Sequence, residues 1–244
     1  MSSGSSGRRR SRANVLTALA ATAALSLGQP PASNATPAAQ PRVVPASGYL
    51  AWPTVKARAK PSAKAAVVRV LSQFDEEYRP RVVLALGVQL GRHGRPTWYR
   101  ISLPGRPNGK TGWVPAYTLE LKPARRSVTI DRSARLLTLR EGSRVLLRTR
   151  VAVGAAGMET PLGTFYMTRK FRPSAPILGA FAIETSAYSK LSEWPGGGIV
   201  GIHGTNQPWL LGRAVSHGCV RVENSAILRL ARLAPVGTPI RIVA

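Results

Sequence analysis

A chain of 244 residues, 44 % of them hydrophobic, is long enough for one large or two small domains with a real core. Its 35 Lys and Arg against 10 Asp and Glu give a net charge of +25, spread along the chain rather than gathered in a tail. That charge suits an anionic surrounding such as a cell wall or membrane surface. The absence of a recognition helix, zinc finger or aromatic–basic RNA signature argues against nucleic acid.

The single cysteine, Cys219, permits no internal disulfide. The start has the form of a targeting segment: Arg8, Arg9, Arg10 and Arg12 precede an Ala- and Leu-rich run from Ala13 to Gly28, and Ser33-Asn34-Ala35 offers small residues for cleavage. No cysteine lies nearby for a lipid anchor, and the apolar run is short for a bilayer span. The expectation is an export signal over 1–35, no transmembrane domain in the mature chain, and a location in the periplasm or cell wall. Residues 36–47 are rich in Pro, Ala and Ser and read as a semi-rigid tether.

From 48 to 122 the pattern is of short strands and turns. Val67–Leu71, Arg81–Leu86 and Trp98–Leu103 are strand-like, the last alternating with period two. Pro107-Asn108-Gly109-Lys110 predicts a tight turn, with Asn-Gly suited to positive φ at both central positions, before a returning strand at Thr111–Pro115. Trp98 and Trp113 are expected in the core. His93, in a polar Gly-rich loop, is expected to face solvent. Through Trp98-Tyr99 and Gly112-Trp113-Val114 this region resembles a bacterial SH3-like barrel, which implies a wall-binding or wall-positioning module.

A second strand-rich domain is expected over 126–244. Ser127–Ile130, Arg135–Arg140 and Arg144–Val153 form a meander, and in the third run Val145, Leu147, Thr149, Val151 and Val153 share one face. Thr160-Pro161-Leu162-Gly163 is a turn into another strand. Trp194-Pro195-Gly196-Gly197-Gly198 is a loop leading to a buried strand, Ile199–His203. One helix is expected from Asn224, as N-cap, to Ala234, followed by a last strand over Ile240–Val243.

The chemistry gathers in 202–223, which holds Cys219 and two of the three histidines, His203 and His217. Cysteine acyl transfer needs a thiolate, a base to form it and donors for the oxyanion. In His217-Gly218-Cys219 the amides of Gly218 and Cys219 can serve as those donors, and the helix that begins at Glu223-Asn224 favours negative charge nearby. His203 and His217 both qualify as the base, and spacing does not choose between them. Zinc held by His203, His217 and Cys219 is the competing reading. It lacks a nearby carboxylate to act as base, so no metal and no cofactor are expected.

Ile202-His203-Gly204-Thr205-Asn206 and Ser216-His217-Gly218-Cys219-Val220-Arg221, with Thr160-Pro161-Leu162-Gly163 upstream and Gly237-Thr238-Pro239-Ile240 downstream, resemble the signature of the L,D-transpeptidase family. This resemblance covers residues 127–244; with the SH3-like resemblance before it, it implies a mainly β chain, a small SH3-like barrel followed by a β-sandwich-like catalytic domain with one short helix after the cysteine. It implies Cys219 as nucleophile and His203 as base, with His217, Ser216 and Gly204 in support and Arg221 at the substrate; Trp209, close by in sequence, is expected to line the substrate groove or to cover the core. The implied reaction releases D-alanine from peptidoglycan stem tetrapeptides through a thioester and forms 3-3 cross-links; the implied inhibitors are carbapenems. An L,D-carboxypeptidase on the same scaffold and a non-catalytic wall-binding protein are the alternatives.

Overall fold

Strand-forming runs fill most of the chain after its Pro- and Ala-rich start. The structure, a computed structural model, describes residues 40–193 and 195–244. The export signal expected over 1–35, the first four residues of the tether, and Trp194 lie outside the described residues.

Seven strands make the first sheet: β1 (Ala46–Leu50), β2 (Thr54–Arg58), β3 (Val67–Ser72), β4 (Val82–Leu90), β5 (Pro96–Ser102), β6 (Thr111–Pro115) and β7 (Leu119–Pro123). Their order is β3-β2-β6-β5-β4-β1-β7, and every pairing is antiparallel. Period two decides what fills its core. Tyr99, Ile101 and Val114 are wholly buried, so Trp98 and Trp113 fall on the opposite face, where both are half-buried. The expectation that these tryptophans form the core is overturned. The Tyr99 hydroxyl donates to the Pro41 carbonyl at 2.5 Å, and fully buried Ala46 opens β1. Residues 46 and 47, at the end of the expected tether, are the first of β1, and the Pro41 carbonyl contacts the sheet through Tyr99. His93 is exposed, on a short 3-10 turn at Arg92–Gly94.

The Asn-Gly turn also departs from expectation. Gly109 has φ +81, but Asn108 keeps a negative φ, so the pair is not the two-residue turn the dipeptide suggests. Leu103 donates its amide to the Lys110 carbonyl, which closes a longer loop over 103–110.

The second sheet contains β8 (Arg126–Asp131), β9 (Leu136–Glu141), β10 (Arg144–Gly154), β11 (Gly163–Phe171), β12 (Ala182–Tyr188), β13 (Ile199–His203), β14 (Ala214–Ser216), β15 (Val220–Val222) and β16 (Pro239–Val243). The order β14-β10-β15-β13-β12-β11-β16-β8-β9 closes on itself because β9 also pairs with β10. Val128, Ile130, Leu137, Leu139, Val151 and Ile202 are among the fully buried residues inside the ring. A register shift between Val145 and Leu147 turns Val145 outward, to 46 % exposure, against the expectation that it shares the core face of β10.

The only α-helix among the described residues, α1 (Asn224–Leu233), buries Ala226, Ile227 and Leu230 against this core. Lys170 Nζ donates to the carbonyls of Ala231 and Ala234 at 2.8 and 3.0 Å, satisfying acceptors that a helix end leaves open. The two sheets meet through Val82, Leu84 and Tyr166, and the buried Tyr166 hydroxyl donates to the Val82 carbonyl at 3.2 Å. At the surface Arg169 bridges the sheets, pairing with Glu77 at 3.1 Å and with Glu184 at 2.9 Å. No helix among the described residues is long and apolar enough to cross a membrane.

Candidate functional site

β13 and β15 are parallel neighbours, with Ile202 opposite Val220 and His203 opposite Arg221. This register brings the end of β13 beside the residue that precedes β15, which is Cys219. A Cβ on Gly201 would stand 4.0 Å from Cys219 Sγ and 4.0 Å from His203 Cδ2. Thiol and imidazole thus flank one point, and that point carries no side chain because residue 201 is glycine. The Gly201 amide donates to Sγ at 3.4 Å. Sequence reasoning passed over Gly201; its only signal was a small residue two before the histidine of a buried strand.

Cys219 sits in a turn that Ser216 wraps. Ser216 Oγ accepts from the Gly218 amide at 3.2 Å and donates to the Cys219 carbonyl at 2.5 Å. Thr160, also fully buried, donates from Oγ1 to the Gly218 carbonyl at 2.9 Å and accepts from the Gly154 amide at 3.0 Å. Gly218 has φ +116, and a Cβ there would lie 2.9 Å from that of Ser189, so only glycine fits. These contacts correct one expectation. The Gly218 amide is committed to Ser216, which leaves the Cys219 amide as the remaining donor of the proposed pair. Half-buried His217 occupies the same turn.

His203 is 4 % exposed, at the end of β13. Its Nδ1 lies 2.6 Å from the Gly204 carbonyl. A carbonyl only accepts, so this contact assigns the proton to Nδ1 and leaves Nε2 as the basic nitrogen. The loop that carries Gly204 is fixed by Asn224. Asn224 Nδ2 donates to the Thr205 carbonyl at 3.0 Å, and Oδ1 accepts from the amides of Thr205 at 3.2 Å and Ala180 at 2.9 Å. Asn224 was expected as the helix N-cap. Instead Glu223 holds that position with no side-chain cap bond, and Asn224 is the first helical residue, its amide turned toward the histidine loop.

Burial pushes the Cys219 thiol up, against smaller pulls from the Gly201 amide and the Arg221 charge. Burial likewise holds the His203 imidazole down, to about 4; the Gly204 hydrogen bond opposes the shift and Arg221 adds to it. At neutral pH the pair rests as thiol and free imidazole. The chemistry open to it is proton transfer from sulfur to Nε2 during attack, rather than attack by a resident thiolate. Arg221 donates from Nη1 to Gln207 Oε1 at 3.2 Å, while its buried Nε has no partner among the described residues. Trp209 is 68 % exposed, on a 3-10 turn at Pro208–Leu210 after the histidine loop. Among the described residues no group of three or more His, Cys, Asp or Glu could hold a metal ion.

Residues 125–242 match the YkuD family, described as an L,D-transpeptidase catalytic domain. Two relatives carry the same name. YkuD of Bacillus subtilis (strain 168) is 34 % identical over 115 residues, which is 47 % of this chain and 64 % of that protein. YkuD of Bacillus licheniformis is 34 % identical over 116 residues, with the same shares. The chain therefore spans just under two thirds of the length of these curated relatives. Among solved structures, an L,D-transpeptidase from Mycobacterium smegmatis aligns at 16 % identity and a TM-score of 0.42, over 67 % of this chain and 90 % of that one.

Proposed function

We propose, on the match of residues 125–242 to the L,D-transpeptidase catalytic domain, that the chain is an exported cysteine acyltransferase acting on peptidoglycan. In this reading the donor is a stem tetrapeptide, and the bond broken joins its third residue to the terminal D-alanine. Cys219 Sγ attacks the carbonyl as its proton passes to His203 Nε2, and the oxyanion takes the Cys219 amide. The intermediate collapses, D-alanine leaves with the proton from His203, and the acyl group remains as a thioester. The amine of a second stem then attacks, His203 accepts its proton, and a 3-3 cross-link forms as the thiol is restored. Ser216, Gly204 and His217 support the two loops, and Arg221 and Trp209 meet the substrate. Residues 48–122, as an SH3-like module, and the basic surface hold the enzyme at an anionic wall.

The observation that carries this reading is the shared point above Gly201, with Sγ and the imidazole edge both 4.0 Å away. An oxyanion donor is worth roughly 3–4 kcal/mol of barrier and a general base about 10²–10⁴ in rate, so together these groups lower the barrier by roughly 6–9 kcal/mol. The test is mass spectrometry of the products formed from a disaccharide tetrapeptide. A cross-linked dimer with released D-alanine supports transpeptidation. Tripeptide alone means that water resolves the thioester, which is carboxypeptidase activity. No release of D-alanine overturns the reading.

A further inference from the structure

The loop over 103–110 belongs to the first sheet, yet its polar side chains are spent on the second. Arg106 donates from Nη1 to the Gly197 carbonyl at 2.8 Å, and from Nη2 to the carbonyls of Ser189 at 2.9 Å and Leu191 at 3.2 Å. Its guanidinium carbon lies 4.9 Å from the centre of the Tyr188 ring. Asn108 extends the contact in both directions: Nδ2 donates to the Tyr188 carbonyl at 2.7 Å, and the Tyr188 amide donates to Oδ1 at 3.0 Å. One arginine and one asparagine thus hold Tyr188 at the end of β12 and Ser189, Leu191 and Gly197 in the connection from β12 to β13.

That connection adjoins the cysteine. Ser189 is 6 % exposed and packs so closely on Gly218 that a Cβ there would stand 2.9 Å from its own. The Ser189 amide donates to the Gly198 carbonyl at 2.8 Å, so the connection closes on itself before entering β13, the strand of Gly201 and His203. Arg106 to Asn108 also wall one side of a cavity of about 820 Å³, whose other side includes Thr160 and Ser189, the two residues that touch Gly218.

We propose that Arg106 and Asn108 are positioning residues: a latch by which the first sheet holds the end of β12 and residues Ser189, Leu191 and Gly197 after it and, through Ser189, the backbone that carries Cys219. Arginine suits the task because its planar fork reaches several carbonyls at once, where a lysine ammonium offers a point charge. Charge-assisted hydrogen bonds are the stronger ones, so losing three together shifts the local opening equilibrium of this segment by tenfold or more.

The test is hydrogen exchange of the full chain, read for residues 189–198 and 216–220, beside kcat and KM for the acyl-transfer reaction. Arg106→Ala is expected to speed exchange at least tenfold in both segments and to lower kcat/KM about tenfold, with melting still cooperative. Asn108→Ala is expected to do the same to a lesser degree, and Arg106→Lys to restore less than half of the loss. Glu77→Gln serves as control, because it weakens the Arg169 bridge between the same two sheets without removing any hydrogen bond from Arg106 or Asn108. Unchanged exchange at 216–220 in Arg106→Ala overturns the proposal. So does an equal effect of Glu77→Gln, which would reduce the contact to general adhesion between the sheets, or full restoration by lysine. Exchange needs no substrate, so failure here is separate from failure of the acyl-transfer reading.

Discussion

The two halves of the site are built in opposite ways. The cysteine turn wraps itself: Ser216, three residues before Cys219, binds both the Gly218 amide and the Cys219 carbonyl, and Thr160 adds one clamp from outside. The histidine loop is held from elsewhere. Asn224 on α1 ties Thr205 to Ala180, and without that tie little in the local sequence fixes the Gly204 carbonyl that orients the imidazole. A nucleophile set in a tight turn can carry its scaffold in its own motif. A base that must face it across two strands borrows its scaffold from distant segments, and that scaffold is correspondingly harder to see in sequence.

Within this comparison the largest effect should come from His203, the proposed base. His203→Ala is expected to lower kcat/KM by about 10²–10⁴, the worth of a positioned general base, while His217→Ala costs far less. Steady-state kinetics of the two variants decide it, and the reverse order would exchange the roles of the two histidines.

The next effect compares the scaffolds directly. Asn224→Ala removes three hydrogen bonds and leaves Thr205 and Ala180 to find other partners. At about 1 kcal/mol each, the loss is roughly 3 kcal/mol. Ser216→Ala removes two bonds from the cysteine turn, about 2 kcal/mol by the same scale. Urea unfolding should rank them in that order. The kinetic signatures should also differ: Asn224→Ala shifts the acid limb of the pH profile upward as the imidazole loosens and hydrates, whereas Ser216→Ala lowers the rate with the limb in place. Identical signatures would remove the distinction between the two halves.

A more gradual effect, spread over the acid range, follows from His203 protonation. The unfolded imidazole takes its proton near pH 6.5 and the folded one near 4, so between these values the unfolded state binds more protons and stability falls as pH drops. The whole shift amounts to about 3 kcal/mol, and this dependence should disappear in His203→Ala. For the same reason activity should hold through neutral pH and fail only as pH approaches 4. An acid limb near 6.5 would mean that the histidine is not buried as described.

The parts of the molecule that showed in the sequence are those with a local signal. The long alternating runs of β8, β9 and β10 and the buried run of β13 were visible, as was the helix after the cysteine, because each carries its own periodicity. β14 and β15, at three residues each, are too short to show a period, and β12 (Ala182–Tyr188) mixes small and polar residues such as Thr185, whose hydroxyl bonds the Val200 carbonyl. Trp98 and Trp113 misled because side-chain size suggested core while the strand phase set by Tyr99 and Ile101 put them on the other face. Val145 misled because one bulge breaks period two. In the candidate site, the clustering of Cys219 and His203 was legible; the contacts of Gly201, Asn224, Arg106 and Asn108 were not, since these lie in what stands near them in space.

The most direct test of the central claim, that Cys219 is the nucleophile served by His203, is intact-mass analysis of the protein mixed with a stem tetrapeptide and quenched in acid. The expected result is an added mass equal to the substrate less D-alanine, mapped to the peptide containing Cys219, absent in Cys219→Ala and sharply reduced in His203→Ala. Continued release of D-alanine by the Cys219→Ala protein would contradict it.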